Sequence, residues 1–112
     1  MGNTQLLKGI LEGCVLSIIS RGETYGYQII STLERHGFSE IGEGTLYPVL
    51  TRLENKGDIT CRIGRSPFGP KRKYYSISDT GMISLHEFVS SYEHIIKVSR
   101  NIIQETDREI EA

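Results

Sequence analysis

Gly42-Glu43-Gly44-Thr45-Leu46-Tyr47-Pro48-Val49-Leu50-Thr51-Arg52-Leu53-Glu54 has the spacing of a short helix with two unlike faces. At about 100° per residue, Leu46, Val49, Leu50 and Leu53 gather on one side. Gly44, Pro48, Thr51 and Asn55 point the other way, with Tyr47 and Arg52 on the flanks. The spacing predicts a start near Thr45, which puts Pro48 in the first turn, where its missing N–H has no intrahelical partner to lose. Lys56-Gly57 should end the helix and Asp58 turn the chain.

Two alternating stretches follow, Ile59 to Ile63 and Tyr74 to Ile77. Alternation puts Ile59, Cys61, Ile63, Tyr75 and Ile77 inward, and Thr60, Arg62, Tyr74 and Ser76 outward. The connection from Gly64 to Arg72 contains Gly64, Pro67, Gly69 and Pro70, and is expected to project as a flexible tongue rather than a tight hairpin turn. Between Ile59 and Ser78 lie Arg62, Arg65, Lys71, Arg72 and Lys73, with no acidic residue among them.

Upstream, Leu6, Leu7, Ile10, Leu11, Cys14, Val15, Leu16, Ile18 and Ile19 recur at helical intervals. They predict a buried helix from about Thr4, acting as its cap, to Ser20. Arg21 to Thr24 reads as a turn. Tyr25-Gly26-Tyr27 opens a second helix, with Tyr27 expected to be half in the core, and His36-Gly37 ends it. Phe38 to Gly44 is a loop. Beyond Asp79, Met82, Leu85, Val89, Tyr92, Ile96, Ser99 and Ile103 alternate steps of three and four, and Phe88, Ile95 and Ile102 form a second seam beside them. A helix from Asp79 to Ile110 would be about 48 Å long at ~1.5 Å per residue, more than the preceding body can cover. A second copy of the chain is the simplest cover for that stripe.

These elements predict a mainly α fold with a small two-stranded β-wing. A winged helix-turn-helix over 1–78 is followed by a long dimerisation helix over 79–112. In such a fold the second helix of the pair lies in the DNA major groove. Thr45, Tyr47, Pro48, Thr51 and Arg52 occupy its outward side. Hydroxyls, an apolar wedge and one guanidinium suit mixed contacts with bases and phosphates. Lys71, Arg72 and Lys73 repel one another, and a phosphate backbone relieves that repulsion. Tyr25, at the start of the second helix, is placed to offer its O–H to a phosphate. The self-association surface is expected from Leu85, Phe88, Val89, Tyr92, Ile95, Ile96 and Ile103.

Bulk properties narrow the remaining classes. With 112 residues and a net charge of −1, the chain is no uniformly basic binder, and any DNA-facing charge is local. The acidic end from Glu105 onward would be repelled by phosphate. Cys14 and Cys61 have neither metal-ligand spacing nor a disulfide framework and read as buried thiols. His36, His86 and His94 are scattered, the last two off the apolar stripe. Neither a metal, a cofactor nor an enzymatic activity is expected, since no phosphate loop, nucleophile elbow or HExxH occurs. The run from Leu6 to Ile19 is interrupted by Lys8 and Glu12 and reads as neither signal peptide nor membrane span, so a cytoplasmic location is expected.

The chain resembles the PadR family of transcriptional regulators. The resemblance rests on Leu11-Glu12-Gly13-Cys14-Val15-Leu16, Tyr25-Gly26-Tyr27-Gln28-Ile29 and Glu43 to Glu54. It continues through Gly57, Gly69 to Tyr75 and Ser78-Asp79-Thr80-Gly81, and covers about Leu6 to Leu85. It implies a homodimeric bacterial repressor on a two-fold DNA operator, with a single C-terminal dimerisation helix as in the family's short members. It also implies release by a phenolic or other small hydrophobic effector. Some relatives stack a planar drug on an interface tryptophan; this chain has no Trp, leaving Phe88 and Tyr92 as aromatic candidates. Two other readings compete: a winged-helix module that binds protein, and a carrier of small hydrophobic ligands. Salt-dependent binding to random duplex DNA separates them from the first.

Overall fold

A computed structural model describes residues 2–111, and side chains for 5–108 and 110. The order is α1 (Gly2–Ser20), β1 (Thr24–Tyr25), α2 (Gly26–Arg35), α3 (Glu43–Asn55), β2 (Ile59–Arg65), β3 (Lys71–Ile77) and α4 (Asp79–Glu111). The strands form one antiparallel sheet in the order β1-β3-β2.

α1 is the central element. It touches α2, α3, α4 and β3, which explains why apolar residues surround much of its circumference. Leu11, Val15, Leu16 and Ile19 are buried with Ile29 and Leu33 of α2, the apolar face of α3, Ile59, Tyr75 and Leu85. The helix has already begun at Gly2, so Thr4 lies within it; the expected Thr4 cap concerns a side chain outside the described residues.

α2 and α3 end alike. Phe38 N–H donates to the Leu33 carbonyl and Gly37 N–H to that of Glu34; Asp58 N–H donates to Leu53 and Gly57 N–H to Glu54. Gly37 and Gly57 take positive φ, 110° and 80°, as this paired closure requires of the residue past the cap. The second closure delivers Asp58 into the body, where its carbonyl accepts from Ser78 N–H and its carboxylate from Ser84 Oγ. Ser78 caps α4 by accepting from Gly81 N–H at 3.0 Å. A Cβ at Gly81 would lie 2.0 Å from the Asp58 carbonyl oxygen, so only glycine permits this approach of α4 to the α3–β2 turn.

Several expectations need correction. α3 starts at Glu43, with Gly42 at the cap, so Pro48 sits in the second turn, and the Gly44 carbonyl loses the donor that residue 48 would otherwise supply. The sheet has a third strand: Thr24 pairs with Tyr75 and Tyr25 with Tyr74, where the sequence suggested only a turn and a helix start. Both wing strands are longer than alternation indicated, and the connection shrinks to Ser66–Pro70. Ile63 shares a sheet face with Ile59 and Cys61 but is 66% exposed, because the wing runs past the edge of the body. Tyr27 is 75% exposed instead of half-buried, since Ile29 and Leu33 point α2 inward.

Candidate nucleic-acid interface

The loop between α2 and α3 sets the two helices against one another and leaves the outer side of α3 uncovered. Thr45, Tyr47, Pro48, Thr51 and Arg52 are all exposed, while Leu46, Val49, Leu50 and Leu53 are buried. Gly44, Pro48 and Thr51 form the centre of the open face. The Thr51 hydroxyl donates to the Tyr47 carbonyl at 3.0 Å, leaving its lone pairs outward as acceptors. Tyr47 lies toward the wing with its hydroxyl at the start of α2; a Cβ at Gly26 would come within 2.8 Å of that oxygen. Gly26 thus admits the tyrosine.

Arg52 is on the opposite flank, facing α1. Its Nε is 4.0 Å from Glu12 Oε2, while Lys56, one turn further on, donates to Glu12 Oε1 at 2.8 Å. Lys56 was absent from the residues singled out by sequence. Its i+4 relation to Arg52 was the available signal.

A groove of about 650 Å³ separates the start of α2, the start of α3 and the wing. Tyr25, Gly26, Tyr27, Glu43, Tyr47, Lys71, Arg72, Lys73 and Tyr75 line it. Five of the nine residues proposed for DNA contact are therefore brought together here, and Thr45, Pro48, Thr51 and Arg52 lie on the adjoining surface of α3. Glu43 is the acidic member, at the first position of α3, where the helix dipole favours it.

The run Lys71-Arg72-Lys73 is split by the sheet pleat. Lys71 and Lys73 share a face with Tyr75, the body-facing side of β3 extended outward, opposite Arg65 and Ile63. Arg72 is on the other face, its guanidinium 3.9 Å from the centre of the Tyr25 ring. Tyr25 meets Tyr74 edge-on at 5.9 Å, and Arg62 lies 4.5 Å from the centre of the Tyr74 ring. Gly64 leaves room for this layer, since a Cβ there would come within 2.6 Å of the Arg62 guanidinium. Arg62 in turn donates two hydrogen bonds to Glu23, at 2.7 and 2.6 Å. These bonds hold the Glu23 carboxyl below the usual carboxylate range. Of the five wing cations, Arg62 is thus neutralised within the fold, and Tyr25 serves as the platform under Arg72.

Burial pushes both thiols up, and Cys14 and Cys61 are half-buried. Among the described residues no cluster of His, Cys, Asp and Glu could hold a metal ion, and no helix is long and apolar enough to cross a membrane.

The expected self-association residues divide. Leu85 is buried in its own protomer, and the Phe88 ring occupies the space that a side chain at Gly13 would need. The first turns of α4 therefore belong to the core against α1. Val89, Tyr92, Ile95, Ile96 and Ile103 are exposed, as are Val98 and Ile102.

A three-helix body whose third helix has an uncovered outer face beside a β-wing defines the winged helix-turn-helix class. Residues 15–87 match the transcriptional regulator PadR-like family, and the chain belongs to that family. It is 44% identical to a PadR-like transcriptional regulator of Bacillus cereus, whose crystal structure superimposes with a TM-score of 0.80 over 89% of this chain and 97% of that one. A Streptococcus transcriptional regulator is 41% identical, with a TM-score of 0.78 over 88% and 96% of the two chains. The negative transcriptional regulator PadR of Bacillus subtilis is 27% identical over 88 residues, 77% of this chain and 48% of PadR. Its structure in complex with operator DNA matches with a TM-score of 0.65 over 71% of this chain and 46% of that one.

Proposed function

We propose that this protein is a DNA-binding transcriptional repressor that grips a two-fold operator as a homodimer. The observation carrying this reading is the pairing of an uncovered α3 face with Lys71 and Lys73 across a single groove. The likeness to a regulator solved on its operator supports it. In this reading α3 enters the major groove, with Pro48 and Thr51 over the bases and Arg52 reaching from the flank. Tyr47, Lys71 and Lys73 hold phosphates, and Arg72 is presented by Tyr25. The body over 1–78 handles DNA and the segment 79–112 pairs the copies.

Self-association is supported by Val89, Tyr92, Ile95, Ile96 and Ile103, exposed along one helix. A groove of about 390 Å³ between α1, the end of α2 and α4 adds an apolar surface lined by Ile10, Cys14, Phe38, Phe88 and Tyr92. A small hydrophobic or phenolic effector bound there would act on the spacing of the two α3 helices.

The test is fluorescence anisotropy with random duplex DNA at low and high salt, followed by selection of bound sequences from a random pool. Salt-sensitive binding and a palindromic selected sequence are expected. Failure to bind at low salt would leave the fold without this function. Adding phenolic acids to the preformed complex tests release.

A further inference from the structure

We infer that Glu12 is a positioning residue that withholds part of the α3 charge from DNA and thereby limits non-specific binding. The inference rests on the DNA-binding reading above. Glu12 projects from α1, between apolar neighbours that face the core, and its carboxylate meets two cations of α3: Lys56 at 2.8 Å and Arg52 at 4.0 Å. All three side chains keep contact with solvent, 30% for Glu12 and 56% and 57% for its partners, so a phosphate can reach the same cations.

The physical consequence is competition. A carboxylate offers Lys56 the same charge-assisted hydrogen bond as a phosphate oxygen. A phosphate contact by Lys56 therefore gains only the difference between two anions, and displaces an internal partner rather than a condensed counterion from the duplex alone. Random DNA, held mainly through phosphates, loses most from this arrangement. A cognate site keeps the base contacts from the centre of α3, so the ratio of operator to random binding rises.

Glu12→Gln keeps the size and removes the charge. An exposed ion pair of this kind implies about a 1.5- to 5-fold gain in affinity for random duplex DNA once it is removed. It also implies a salt slope steeper by up to about 0.9 per protomer. The gain should shrink when Lys56→Met is added, since Lys56 is the nearer of the two cations that Glu12 holds. The thermal midpoint serves as a check that each variant is folded. Anisotropy titrations of wild type, E12Q, K56M and the double variant across a salt series decide the matter. Wild-type binding with an unchanged E12Q affinity and slope would overturn the role of Glu12 and leave the DNA-binding reading standing. A gain that K56M leaves undiminished would also overturn it. No binding by any of the folded proteins would overturn both.

Discussion

Arg52 shows how one side chain's role depends on what lies across from it. On the helical wheel it flanks the polar side of α3, and in the fold it shares the Glu12 carboxylate with Lys56. If it reads a base edge, Arg52→Ala should cost about 1–3 kcal/mol on the selected site and much less on random DNA. Equal losses on both would make it a phosphate contact. Tyr75 poses a different residue-level question. Its ring is buried against the core, and burial pushes its hydroxyl up to about 12. The ionised form is therefore disfavoured in the folded state relative to an unfolded tyrosine near pKa 10. Stability from this shift is fully present below about pH 10 and is lost as the pH rises through about 12. Urea midpoints at pH 8 and pH 11 should fall further for the wild type than for Tyr75→Phe, and an equal fall would assign the alkaline loss to other groups.

At the scale of elements, the two faces of the wing hold their cations differently. Lys71 and Lys73 share the face of Tyr75, while Arg72, on the other face, lies on Tyr25 at the rim of the same groove and Arg62 is held by Glu23. Replacing Lys71 and Lys73 with Ala should weaken binding to every duplex alike and flatten the salt slope by about 2 per wing, at ~0.9 per lost phosphate contact. An unchanged slope would mean that these lysines stay clear of the backbone. Alternation revealed the sheet near the core, where a buried face imposes a period of two on residue type. It faded past Cys61 and Tyr75, because nothing lies under the outer wing to demand apolar residues there. β1 left still less trace: two residues cannot show a period, and their pairing is settled by β3, some fifty positions away.

At the scale of the whole molecule, the proposed self-association turns on α4. Its 33 residues span about 50 Å at ~1.5 Å per residue, close to the longest dimension of the protein, 61 Å. The first turns are occupied by α1, and the apolar stripe then runs on uncovered. Burying a large apolar side chain is worth roughly 1.5–3 kcal/mol, so two charges in mid-stripe should decide the outcome. Tyr92→Asp combined with Ile96→Asp should give a monomer or an unfolded chain by light scattering and circular dichroism. A well-folded dimer would remove α4 from the interface.

The sequence by itself determined the two faces of α3, the basic hairpin beside it, the closures at Gly37 and Gly57, and the stripe of α4. Each follows from a local period or a local backbone need, which neighbouring residues express without reference to the rest of the chain. Only the tertiary structure decided where the charges go. Lys56 meets Glu12 across 44 positions and Arg62 meets Glu23 across 39, and the pleat sends Arg72 away from Lys71 and Lys73. Exposed cations carry no periodic requirement, so sequence shows that they are present. Which of them remain available to a phosphate depends on the carboxylates and rings that folding brings alongside.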